Sequence, residues 1–313
     1  MTNMYQGVVE DRNDPEKLGR CKIRWMGIHT HEKGEYGIKT EDLPWAFPIQ
    51  PITSAAMSGI GDTPLGPVEG TWVVGFFRDG NMFQQPVYFG TLGGKPIQTS
   101  VGEGKESGFF DPNEKYPLTS DDSSPTSDPN PIGASVLNEP DTNRLARGEE
   151  DNTVISQRKN SLDEMQAPAG AGSLKDIKEP ETKFAAQYPF NHVKFTESGH
   201  VQEFDDTEGA ERIHIYHRAG TFEEIYPDGS RVVKVVSDNY TAILGENNIH
   251  ITKDTNAQVA GDVNILVNGS VNLEVDGDMD THVDGDYKLR VDGKIDIIAE
   301  SQVTVQGSQI NLN

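Results

Sequence analysis

From Tyr240 onward the chain repeats itself with a step of eight residues. In register the segment reads ILGENNIH, ITKDTNAQ, VAGDVNIL, VNGSVNLE, VDGDMDTH, VDGDYKLR, VDGKIDII, AESQVTVQ. The first position of each octad is Ile243, Ile251, Val259, Val267, Val275, Val283 and Val291, then Ala299. The third is Gly245, Gly261, Gly269, Gly277, Gly285 and Gly293, with Lys253 and Ser301 as the departures. The fifth and seventh positions are apolar in most octads, as in Val271 and Leu273, and the even ones are mostly Asp, Asn, Glu, Lys or Ser. Alternation with period two is the signature of a strand with one wet and one dry face. The three-and-four spacing of an amphipathic helix is absent. A glycine just after the first inward residue suits a corner, where a side chain would obstruct the bend.

Eight extended residues reach at most ~29 Å. That is too short for one chain to travel around a hollow triangular coil, but long enough to cover one side of it. Three chains supply three sides, at about 24 residues per layer. The repeat length therefore predicts a homotrimer whose strands intertwine into a triple-stranded β-helix. With strands ~4.8 Å apart, the octads build a rod of roughly 40 Å. A single-chain solenoid is the competing reading, and it needs longer repeats.

The rest of the chain divides by composition. Residues 1–97 hold five β-rich runs, MYQGVV, RCKIRWMGI, LPWAFPIQ, TWVVGFF and PVYFGTL, separated by turn signals such as DRNDPEKLG and RDGN. Five strands with long connections predict a small closed barrel of the OB type. Residues 98–187 are dominated by Ser, Asp, Glu, Pro, Gly and Asn and read as an extended, partly disordered linker lying over other surfaces, with a short helix around 153–165 that would be marginal alone. Residues 188–242 read as a β-rich neck broken by the turns ESG, DDTEGAE, RAG and PDGS. Residues 243–313 are the octad needle. The expected class is all-β throughout.

Only 34% of the 313 residues are apolar and the mean hydropathy is −0.58, so one compact globule of this length is not expected. The net charge of −23 argues against nucleic acid as a partner, because phosphate binding needs a basic surface. The single cysteine, Cys21, allows no intramolecular disulfide and points to synthesis in a reducing cytoplasm. The first residues lack the basic start and apolar run of a signal peptide, and no stretch approaches ~18 apolar residues.

Residues with chemical potential are few. His29 and His31 form an HxH pair in a loop, too few ligands for a metal site. His214 and His217, three apart in a strand region, fall on opposite faces. Asp276, Asp278, Asp280, Asp284 and Asp286 recur on the wet face of the octads and read as a solvated surface, with cation binding across three chains as the sharper alternative. Lys253 occupies an inward-phase corner and is expected to turn outward. No nucleophile with its base, no phosphate-cradling loop and no Cys/His cluster is present. No catalytic, cofactor or metal site is therefore expected, and no cofactor.

The pieces GVVEDRNDPEKLGRCKIRWMGIH, LPWAFPIQPITSAAMSGIGDTPLGPVEGTWV and PVYFGTLGG resemble the OB-fold of contractile-phage baseplate central spike proteins, a pattern shared with type VI secretion spikes. GFFDPNEKYP looks like the segment that follows that barrel, HVKFTESGHVQEFDDTEGAERIHIYHRAG and its continuation like the neck, and the octads like the needle. The resemblance implies a structural virion component at the tail baseplate: a trimer whose barrels contact a separate hub ring protein and whose needle punctures the host envelope when the sheath contracts. Spikes with a lysozyme domain carry it between barrel and needle. Here that interval holds no domain-sized apolar pattern and no credible carboxylate pair, so no glycosidase activity is expected. The absence of a fused hub-like domain favours a phage tail over a secretion system. The periodic pattern runs almost to Asn313, so a separate small tip protein is expected on the final strand edges and core. A spike carrying effectors, a tail lysozyme with a cryptic domain in 98–187 and a receptor-binding fibre are the alternative functions.

Overall fold

The computed structural model describes residues 3–33, 35–94, 142–150, 153–166 and 176–311. The GFFDPNEKYP segment and much of the expected linker lie outside them. Two compact units are present, Met1–Gln258 and Val259–Asn313.

Five strands form the closed barrel expected from the sequence: β1 (Tyr5–Asp11), β2 (Cys21–Trp25), β3 (Trp45–Pro48), β4 (Trp72–Phe77) and β5 (Pro86–Thr91). They are hydrogen-bonded in the order β1-β2-β3-β5-β4, and β3 and β5 run parallel. Val9, Cys21, Ile23, Trp25, Ala46, Val73, Phe77 and Tyr88 fill the interior. Trp25 is fully buried, and its bulk is accommodated by the absence of a side chain opposite. A Cβ on Gly75 would stand 2.5 Å from the Trp25 ring and 2.0 Å from the Val87 carbonyl.

Two ion pairs fix the barrel's connections. Asp14 accepts hydrogen bonds from the Arg20 guanidinium and from the backbone amides of Glu16, Leu18 and Arg20, which folds the β1–β2 turn around one carboxylate. Arg24, fully buried, donates to both carboxylate oxygens of Glu10 at 2.6 and 3.2 Å. Its remaining donors reach the carbonyls of Thr30 and Ile38 at 2.7 and 2.6 Å, while Thr40 donates to Glu10. A single buried pair thus pins the long β2–β3 connection across the barrel, where few apolar residues could do so.

A second, antiparallel sheet is a meander of β8 (Asn191–Phe195), β9 (Val201–Asp205), β10 (Arg212–Tyr216), β11 (Phe222–Ile225) and β12 (Arg231–Lys234). One face packs against the described parts of residues 142–187, which include the helix α1 (Thr153–Asn160) and the short ribbon β6 (Glu164–Met165) with β7 (Ile177–Lys178). Leu145, Val154, Ile155, Phe184 and Ala186 from this polar stretch join Val201, Tyr216 and Phe222 in one core. The stretch therefore supplies more than half of that core's residues, although its short, scattered apolar islands show no period.

Beyond Lys234 the described residues contain no hydrogen-bonded strand.

Candidate functional site

Three features stand out from the fold: a polar core in the neck sheet, a projecting loop on the barrel and the octad tail.

The neck sheet buries charge. Along β10, Arg212, His214 and Tyr216 face inward while Ile213 and Ile215 face out. Glu203 accepts from Asn191 and Arg212 through one oxygen and meets His214 Nδ1 at 2.7 Å through the other. Glu224 accepts from Thr182 and Arg212 and, at 2.8 Å, from Arg158 of α1. The Arg158 guanidinium lies 3.7 Å from the Phe222 ring centre and also bonds Glu179. Burial pushes the Glu203 carboxyl up, but the His214 hydrogen bond and the Arg212 charge outweigh it and hold the group below the usual range. For Glu224 burial is likewise outweighed by the bonds from Thr182 and Arg158. Glu203, Glu224, Arg158 and Arg212 each have an opposite partner, as enclosed charges require. The side chains of Glu203, Glu224, Arg158, Arg212 and His214 are enclosed by the described residues, and their chemistry is that of a fastener between α1 and the sheet.

His29 and His31 are not arranged to chelate together. His29 Nδ1 accepts from the Trp25 amide at 3.0 Å, and burial with the nearby Arg24 charge lowers its pKa to about 4. His31 is exposed. His214 is interior, whereas His217 is exposed in the following turn, in keeping with opposite faces. Among the described residues no three His, Cys, Asp or Glu side chains converge as a metal site. Burial pushes the Cys21 thiol up to about 11. The Arg158 and Arg212 pairs were not foreseen from sequence; the alternation RIHIY carried the signal, since it places a polar residue at every second position.

In the tail the backbone bends once per octad, at residues 244–245, 252–253, 260–261, 268–269, 276–277, 284–285, 292–293 and 300–301. Each bend includes the third position of its octad, Lys253 and Ser301 included, and Lys253 is exposed. The first-position residues Ile243, Ile251, Val259, Val267, Val275, Val283 and Val291 keep 44–61% of their surface exposed, and fifth- and seventh-position residues such as Val271 and Ile265 keep 74% and 82%. At Gly245, Gly261, Gly269, Gly277, Gly285 and Gly293 the backbone is not left-handed, and an added Cβ would have nothing within 4 Å. Among the described residues nothing calls for glycine there. Asp286, Asp292 and Asp296 pair with Lys288, Arg290 and Lys294 along the exposed tail, and such pairs contribute little to stability.

Comparison with known proteins decides the family. Residues 27–183 match the family model described as the Gp5 N-terminal OB domain. The chain belongs to the Gp5 family. The matched span opens inside the β2–β3 connection and covers β3, β4 and β5 before reaching α1 and β7. Protein Gp5 of Vibrio phage KVP40 is 46% identical over 272 residues, 78% of this chain and 60% of that protein. The pre-baseplate central spike protein Gp5 of Enterobacteria phage T4 is 48% identical over 122 residues, 37% of this chain and 20% of that protein. The chain thus spans about 60% of the first relative's length and a smaller part of the second's.

Proposed function

We propose that this Gp5-family chain is a structural, non-enzymatic subunit of a phage baseplate central spike. Three copies intertwine their octads into a β-helical needle, with the side chains of Ile243, Ile251, Val259, Val267, Val275, Val283 and Val291 pointing to the shared axis and glycines at the corners. The observation that carries this reading is the tail's incompleteness in one chain. It bends at a fixed step of eight, leaves its apolar positions open to water, and forms no ladder of its own among the described residues. Corner glycines that nothing in their own chain crowds make sense when neighbouring chains occupy that space. The names borne by the relatives support a place in the tail baseplate of a virion, where the barrel meets a separate hub ring protein and the needle is driven through the host envelope.

The reading is tested by multi-angle light scattering of the purified chain. The expected mass is three times that of the 34.4 kDa chain. A folded species with the mass of one chain would refute the needle and its piercing role together. Clearing of peptidoglycan in a zymogram by the purified protein would refute the non-enzymatic assignment.

A further inference from the structure

Between β3 and β4 the barrel carries a folded loop, residues 49–71, whose structure is internally determined. Ser54 bonds Gln50 through its hydroxyl and the Pro51 carbonyl through its amide, and the Ala55 amide donates to the Ile60 carbonyl. Gly61 sits at φ 111°, where a Cβ would meet Ser54 Cα at 2.8 Å. This self-supporting loop holds its apolar side chains away from the barrel. Ile52 and Met57 are each 104% exposed, Ile60 71% and Leu65 67%. Asp62 is the one charged residue between Pro48 and Val68, in a chain that is 25% charged. Charge depletion around exposed apolar side chains is the composition of a protein–protein contact.

At the base of the loop lies a mostly apolar groove of about 190 Å³, lined by Pro48, Pro51, Pro64, Tyr88 and Phe89, with Asp62, Thr63 and Thr91 also on its walls. One barrel therefore presents both an apolar projection and an apolar groove. Two different complementary patches on one chain are what a head-to-tail contact requires, and such a contact closes into a ring when the rotation between copies is right. The charge distribution favours another copy as the partner. Residues 1–97 contain nine Lys/Arg and eleven Asp/Glu, a net of −2, while the other residues contain eighteen and thirty-nine, a net of −21. The barrel is the part of this acidic chain where copies approach with least repulsion.

We propose that Ile52 and Met57 of one barrel seat in the Pro48–Phe89 groove of the next copy, so that three barrels close a ring. This rests on the three-chain reading of the tail, which holds the barrels at high effective concentration. The rest of the barrel surface stays open to other proteins.

The test uses the full chain with paired substitutions, Met57→Cys with Thr63→Cys and, separately, Met57→Cys with Thr91→Cys. Cys21 is buried and stays out of the reaction. Mild oxidation is followed by a non-reducing gel, and light scattering is run on the same samples. The expected result is a three-chain mass together with a covalent three-chain band in at least one double variant and in none of the single variants. A three-chain mass with no such band in either pair would overturn the ring, leave the trimeric needle standing, and assign the loop to a different protein. A single-chain mass would overturn both.

Discussion

Substituting Glu10→Ala removes the carboxylate that, among the described residues, faces Arg24 inside the barrel. The guanidinium would keep its bonds to the Thr30 and Ile38 carbonyls but lose two to Glu10, at 2.6 and 3.2 Å. The hydroxyl of Thr40 and the ammonium of Lys33 lose the same partner. Arg24 and Glu10 side chains have no exposed surface, so water cannot replace the missing carboxylate without opening the structure. Breaking a buried pair by removing one member costs about 3–5 kcal/mol. At about 4–8 °C per kcal/mol for a domain of 60–100 residues, the barrel's Tm should fall by at least about 12 °C. Intrinsic fluorescence is a clean reporter, because Trp25, Trp45 and Trp72 are the three tryptophans of the chain and all lie in barrel strands. Glu10→Gln, which keeps the shape and one acceptor, should fall between wild type and Glu10→Ala. A loss below about 1 kcal/mol in Glu10→Ala, the range of an exposed pair, would refute the claim that this pair holds the β2–β3 connection.

Acid should weaken the barrel before it weakens the neck. The folded-state pKa of His29 is about 4, below its ordinary 6.5, so the folded form resists a proton that the unfolded chain accepts. Barrel stability is then lost as pH falls from 6.5 toward 4, and His29→Gln should flatten the fluorescence-monitored Tm across that window. In the neck, Glu203 and Glu224 are held below the ordinary 4.5, so their contribution is present above that value and is lost as pH falls below it. Far-ultraviolet circular dichroism should show a neck transition only in that more acidic range. Arg158→Met should loosen α1 from the sheet, because Glu224 keeps Arg212 but loses its link to the helix, read as faster amide hydrogen exchange in residues 153–160. If three tails intertwine as proposed, Gly269→Val should lower the melting temperature of the assembly and shift mass toward single chains, whereas a tail that functions alone would tolerate it, since among the described residues nothing lies within 4 Å of the added Cβ.

How much of this could be read from the sequence depended on whether one residue type marks one environment. In the barrel it does: the runs RCKIRWMGI and TWVVGFF became β2 and β4, with Ile23, Trp25, Val73 and Phe77 inside. The neck interior was harder to read because the usual correspondence is inverted. An apolar-inward reading of RIHIY would bury Ile213 and Ile215, yet these are 40% and 50% exposed while Arg212 and His214 are enclosed. The inversion is possible because Arg212 meets Glu203 and Glu224 on the two neighbouring strands, and Glu224 also meets Arg158 from a helix 66 residues away, a pairing that no local pattern encodes. The polar stretch 142–187 hid its role for a related reason. Leu145, the Val154–Ile155 pair and Phe184 with its alanines are short apolar islands in a polar stretch, too far apart to show a period, and Arg158 packs through a ring contact and two carboxylates.

The two halves of the unforeseen chemistry point to a common principle. The barrel and the neck answer every enclosed charge discussed above with a partner from the same chain: Arg24 with Glu10, Arg212 with Glu203, Arg158 with Glu224. Their apolar cores are closed by their own residues. The tail has neither property, since Val267, Val275, Val283 and Val291 remain 44–47% exposed and its backbone donors and acceptors find no ladder among the described residues. On the proposed three-chain reading, other copies supply both the side-chain contacts and the backbone partners that the tail lacks among its own described residues. Association of the tails is then coupled to their folding, so the needle should melt at a temperature that depends on chain concentration, while the Glu10–Arg24 lock gives the barrel a source of stability that does not.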